Sequence, residues 1–214
     1  MTAPRRASDV AYEAVRERIV DLRLPPGAVL HEPTLAQELG LGRMPVHEAL
    51  AKLATERFVV VSPRRGSTVS APSMSDVLDM FEAREAVECG VAHIVASRAG
   101  DEDLEVLEKL VHQADRARED REPEQYLRED HDVHAFLVHM VRNALLQDAA
   151  DRLLLHNLRF WRSYWASRPA RRHSMISHAD LLAALRDRDP ERAEAAMREH
   201  LAASRRLLQA SFQS

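Results

Sequence analysis

Apolar residues recur at helical spacing along most of the chain and alternate in only one short stretch. Val10, Val15 and Ile19 mark one side of a first helix, predicted to run from a Ser8 cap to about Leu22. Leu24-Pro25-Pro26-Gly27 ends it, because proline lacks a backbone donor and glycine accepts turn conformations. A short second helix is predicted at 32–39, with Gly40-Leu41-Gly42 as the turn after it. A third, over 44–57, sets Val46, Ala49, Leu50 and Leu53 on one buried face. Two β-rich stretches, 58–62 and 67–70, flank Pro63-Arg64-Arg65-Gly66 and read as a hairpin with a basic tip. Ala71-Pro72-Ser73 forms the boundary. Beyond it helices are predicted at 75–99, 102–119, 123–141, 144–166, 172–188 and 190–212. They break at Gly100-Asp101, Pro123, Asn143, Pro169 and Asp189-Pro190. The fold class is mainly α: a winged helix-turn-helix over 1–73 and an all-helical antiparallel bundle over 74–214.

Composition narrows the setting. A chain of 214 residues, 45% hydrophobic and 5% aromatic, can bury a core and reads as globular and helix-rich. Cys89 is the only cysteine, so no intramolecular disulfide forms and a reducing cytoplasm is expected. Met1 to Asp9 carries Arg5 and Arg6 but no apolar run, which argues against a signal peptide, and no stretch reads as a membrane span. Charge is uneven: residues 1–74 carry net +2 and the remainder net −6, for a total of −4. A mildly basic head on an acidic body points weakly toward phosphate.

Three helices with a glycine turn before the third, followed by a hairpin, describe a module whose third helix enters the major groove of double-stranded DNA. With its apolar face in the core, that helix leaves Arg43, Met44 and His47 projecting at its N-terminal end, where base edges are read. The wing tip, Arg64, Arg65 and Gly66, suits the sugar-phosphate backbone. The same topology also serves as a plain interaction module, and the pattern does not separate the two. Leu24-Pro25-Pro26-Gly27, Leu35-Ala36, Arg43-Met44-Pro45-Val46-His47-Glu48-Ala49-Leu50 and Arg65-Gly66-Ser67-Thr68-Val69 together resemble the head of GntR-family regulators, specifically the FadR-like branch. The resemblance implies a homodimer bound to an inverted repeat. Gly42 stands where the family has serine, His47 where it has arginine, and Arg57 where glycine is common. Imidazole cannot make arginine's bidentate contact to guanine, so a different operator base is expected there.

The bundle carries its own chemistry. Asp130 and His134, at i and i+4, sit on the apolar stripe of Leu127, Leu137, Val138 and Val141. His178 shares a face with Met175, Leu181, Leu182 and Leu185, and His200 with Ala193, Met197, Ser204 and Leu207. Polar groups facing a core are costly unless compensated. Asp189-Pro190 reads as a helix cap and first-turn proline, with His178 and His200 equally far before and after Asp189. In an antiparallel pair such positions lie side by side. Three imidazoles and a carboxylate suit a divalent transition metal. Hydrogen-bonded core histidines are the other reading, and eleven histidines make coincidences common.

Here too there is a family likeness. Most of 75–212 resembles the FadR-like ligand-binding domain called FCD, whose metal-containing members carry D-x3-H and one histidine in each of the last two helices. The resemblance implies Asp130, His134, His178 and His200 as ligands of zinc, nickel or manganese, and a small carboxylate as effector. Some relatives lack the ligands and bind acyl-CoA; all four residues are present here. Glu82-Ala83-Arg84-Glu85-Ala86-Val87-Glu88 resembles the segment opening that domain, where arginine faces the effector pocket. The residues alone leave open a surface Arg84 paired along the helix with Glu88.

An ion-sensing regulator and a mononuclear metal enzyme are the alternative functions. No histidine follows a glutamate by three residues, which argues against a di-iron bundle, and no P-loop, G-x-S-x-G or Cys/His nucleophile arrangement is present. Trp161, Tyr164 and Trp165 are expected in the core or at a subunit interface.

Overall fold

Helix α1 (Ala7–Val20) buries Ala11, Tyr12, Val15 and Ile19. Val10, expected inside, is 40% exposed, because the Ala11-Val15-Ile19 row at i, i+4 takes the core side. Ser8 lies within the helix rather than capping it; the N-cap is Arg6, whose side chain makes no capping bond. The computed structural model describes residues 5–64, 66–168 and 175–210. Within it the chain divides into two units, Met1–Ser73 and Met74–Ser214.

In the first unit, α2 (Glu32–Leu39) and α3 (Arg43–Thr55) follow α1, and α3 packs against α1, α2 and the sheet. Strand β1 (Val29–Leu30) is an element that sequence reasoning missed, since two residues carry no periodicity. It pairs antiparallel with β3 (Gly66–Val69), which pairs antiparallel with β2 (Val59–Ser62), giving the order β1-β3-β2. Val60 faces Thr68 and Ser62 faces Gly66 across the wing.

The described residues of the second unit form helices joined by short connections: α4 (Met74–Arg98), α5 (Asp101–Glu119), α6 (Pro123–Met140), α7 (Ala144–Ser167), α8 (Ala179–Arg186) and α9 (Pro190–Ala210). Helix α4 packs against α9 and α7, α6 against α5 and α7, and α8 against α9. Their shared core includes Val91, Val95, Leu107, Leu137, Leu154, Leu185 and Met197. Asn143 caps α7 by accepting from the Leu145 and Leu146 amides, and Asp189 accepts from Arg192 N–H at the start of α9. Trp161, Tyr164 and Trp165 are buried.

The helix expected over 172–188 is shorter. Residues 172–174 lie outside the described residues, 175–178 are not helical, and His178 is the N-cap residue of α8. The reason is local competition for the backbone. Tyr126 Oη accepts from Ile176 N–H and donates to Ile176 O, and Ser177 Oγ accepts from Ala179 N–H. Groups so engaged cannot continue a helical ladder. No described helix is long and apolar enough to cross a membrane.

Candidate metal centre and nucleic-acid interface

Burial of Val46, Ala49, Leu50 and Leu53 fixes the rotation of α3 and turns Arg43, Met44 and His47 outward. Met44 is 65% exposed. His47 Nδ1 lies 3.0 Å from Glu32 Oε1, which leaves Nε2 as the ring's outward polar atom. Gly42, the N-cap of α3, supplies no side-chain cap, so the first amides of the helix stay unpaired by it. Arg64 and Gly66 are exposed at the wing, and Arg65 lies outside the described residues.

In the bundle, α6 contributes Asp130 and His134 on one face, α9 contributes His200, and the start of α8 contributes His178. All four are buried, and one ligand atom from each lies within 4.8 Å of every other. His134 Nε2 is 3.2 Å from His178 Nε2 and 3.3 Å from His200 Nε2. Asp130 Oδ1 is 3.4 Å from His178 Nε2 and 3.9 Å from His134 Nε2. Donors about 2.0–2.1 Å from an ion stand about 2.9–3.4 Å apart at octahedral to tetrahedral angles, so the three shorter separations match a coordination shell. Gathering imidazole nitrogens and a carboxylate in a dry core is costly unless a cation joins them. The residues therefore fit a divalent ion.

Electrostatics agree with ligation. Burial, then His134 and Arg84, hold the His178 pKa well below the ordinary histidine value. Burial, His178 and His134 do the same for His200. Both rings are neutral at pH 7, the form that binds metal. Tyr126, whose pKa burial and the Asp130 charge raise well above 10, keeps its proton and lies 3.2 Å from Asp130 Oδ1. The His200 ring leans its Nδ1 toward Ser177 O at 3.4 Å.

Arg84 is not on the surface. Its Nε donates to Glu88 Oε1 at 2.6 Å and its Nη2 to Oε2 at 3.3 Å, with the two side chains 3% and 2% exposed. Glu88 in turn lies 2.5 Å from His134 Nδ1. That approach is short and not aligned as an N–H···O bond, yet its charge favours a proton on that nitrogen. Burial pushes the Glu88 pKa up, but Arg84 and His134 outweigh it and hold the carboxyl well below its usual range. Sequence reasoning missed Glu88 and Tyr126 as neighbours of the cluster. Tyr126 is one turn before Asp130, a spacing that signals the contact; nothing in the sequence links Glu88 to His134. A depression of about 630 Å³ between α4 and α9, lined by Glu82, Glu85, Cys89, His93 and Arg198 among others, includes none of the four.

A three-helix unit with a wing, joined in sequence to a helical unit, has the build of a DNA-binding transcription regulator rather than an enzyme. Comparison with known proteins bears this out. Residues 7–69 match the family model "Bacterial regulatory proteins, gntR family", and residues 79–203 match the FCD domain. The chain belongs to the GntR family of transcriptional regulators, in the FadR-like group that carries an FCD domain. It is 30% identical over 192 residues to the HTH-type transcriptional repressor RspR of Escherichia coli K12, covering 89% of this chain and 83% of that protein. The Nta operon transcriptional regulator of Aminobacter aminovorans is 28% identical over 182 residues, 85% of each chain. In fold the chain is similar to E. coli McbR/YncC, with a TM-score of 0.80, 20% identity, and coverage of 99% and 100%.

Proposed function

We propose that this regulator is a homodimeric repressor that binds an inverted-repeat operator and answers to a small carboxylate metabolite bound at a metal centre in its helical unit. The observation that supports the sensing half is the buried convergence of Asp130, His134, His178 and His200. A divalent ion there, zinc, nickel or manganese, supplies residual positive charge, and in a five- or six-coordinate shell the four protein ligands leave positions for a carboxylate. Asp130 and the three histidines hold the ion. Tyr126 steadies Asp130 and, through Ile176, the segment carrying His178. Arg84 is the cation proposed to meet the metabolite's remaining charge, because its field already reaches His178 and His200. The metabolite shifts the helices, and through Ala71-Pro72-Ser73 the spacing of the two heads, by binding one arrangement more tightly than the other.

On the DNA side, Arg43, Met44 and His47 are proposed to face the major groove, and Arg64, Arg65 and Gly66 the backbone. A gel shift with DNA upstream of the protein's own gene, followed by a thermal-shift screen of small carboxylic acids, tests both halves. Metal-loaded protein, metal-stripped protein and Arg84→Ala are compared. Hits that bind all three equally overturn the carboxylate mechanism, and absence of specific DNA binding overturns the operator assignment. A second reading, in which the ion itself is the signal, draws on the burial of all four ligands; it is favoured if added metal alone changes operator affinity.

A further inference from the structure

We infer that Glu88, clamped by Arg84, is the positioning residue of the metal centre: it holds His134 in the tautomer and orientation that aim Nε2 at the ion. The inference rests on the metal reading above and concerns residues outside the ligand set.

His134 meets both other imidazoles through one atom, its Nε2, which is 3.2 and 3.3 Å from the Nε2 atoms of His178 and His200. Which nitrogen of this ring carries the proton therefore decides whether the shell can form. A proton on Nδ1 leaves the Nε2 lone pair free for the ion; a proton on Nε2 blocks it. Glu88 faces Nδ1 at 2.5 Å and makes the first state the favoured one. The three histidines are backed differently. His200 Nδ1 faces only a backbone carbonyl, and neither His178 Nδ1 nor His134 Nδ1 makes an aligned hydrogen bond among the described residues, but His134 Nδ1 has the Glu88 carboxylate against it. Within that set a carboxylate stands behind His134 alone.

Arg84 explains why Glu88 stays behind the ring. Its fork takes both carboxylate oxygens, Nε on Oε1 and Nη2 on Oε2, and draws on the same helix turn of α4. So held at both oxygens, Glu88 cannot swing into the ligand shell. A purely structural role for the pair is the weaker account. A buried ion pair is often replaced by apolar residues without loss of stability, so fold stability alone gives little reason for one in an apolar core.

The test uses full-length protein and Co²⁺ as a spectroscopic probe, with affinity read by chelator competition and the ligand field by visible absorption. Glu88→Gln keeps an acceptor but no charge and should weaken Co²⁺ binding up to about tenfold. Glu88→Leu, which removes the acceptor, should weaken it about 10–100-fold and alter the spectrum. Since Glu88→Leu strands Arg84 in the core, the double variant Arg84→Met with Glu88→Leu is the decisive arm. It should melt like the metal-free wild type yet retain the affinity loss. A double variant with wild-type affinity and spectrum overturns the inference and leaves the metal centre standing. Failure of the wild type itself to take up Co²⁺ overturns both.

Discussion

Arg57 shows how a single backbone angle carries a stability prediction. It sits at φ 63, the left-handed region, just past the end of α3. Arg57 N–H donates to Ala54 O and Phe58 N–H to Leu53 O, the bond pattern of a helix closed by a left-handed residue. Helix α2 closes the same way with Gly40 at φ 64, at no steric cost. Arginine there crowds its own Cβ, and no side-chain partner offsets this among the described residues. Arg57→Gly should therefore raise stability by about 0.5–1 kcal/mol, read as a higher denaturant midpoint at unchanged slope. At the cluster, His178→Ala combined with His200→Ala should abolish the single equivalent of metal expected per chain, measured by mass spectrometry of native protein. Stoichiometric retention in that variant sinks the ligand assignment.

At the scale of elements, α3 and the wing divide the work of binding. The exposed N-terminal end of α3 offers Arg43 for base readout, so Arg43→Ala should cost about 1–3 kcal/mol against the specific operator and less against random DNA. Arg64→Ala should weaken binding to all sequences and lower the salt slope by about one. Titrations at several salt concentrations separate these outcomes, and equal effects on specific and random DNA for Arg43→Ala contradict its base-reading role. Helix ends recur as a theme in the second unit, where Arg121, Arg142 and Arg188 also hold positive φ. Glycine at the last two should gain less than at Arg57. Arg188 is tied to Asp101 and to Ala99 O, and Arg142 to Asp103, contacts that glycine would remove.

For the whole molecule, metal and protons should both act on stability through His178 and His200. Metal at a hundred times its dissociation constant adds about 2.7 kcal/mol, so chelation should lower the melting temperature of the helical unit by about 5–10 °C. Unchanged melting after verified metal removal contradicts a buried centre. Without metal, folded His178 and His200 have pKa values below the ordinary 6.5, whereas the unfolded chain protonates near it. The unfolded state then binds more protons in that interval, so stability is full above about pH 6.5 and falls as pH drops below it. Glu88, also depressed, adds a separate loss only below its ordinary value of 4.5. The metal-free melting temperature should fall between about pH 7 and 5, and the double histidine variant should show a flatter profile.

Local pattern by itself determined much of this protein. The Val46-Ala49-Leu50-Leu53 face sets the rotation of α3, and the equal spacing of His178 and His200 about Asp189-Pro190 brings their rings to a centroid distance of 4.2 Å. Both follow from the helical period and from how antiparallel helices meet, which act along the chain. What required the tertiary structure acts across it. Residues 175–178 leave the helical path because Tyr126, fifty residues earlier, takes the backbone groups of Ile176. The i, i+4 spacing of Arg84 and Glu88 allowed their pairing, but not its burial, which depends on helices packed around α4. Strand β1 exists only because β3 is there to pair with it. Glu88 meets His134 because α4 and α6 cross at that depth, and no spacing within either helix encodes the crossing.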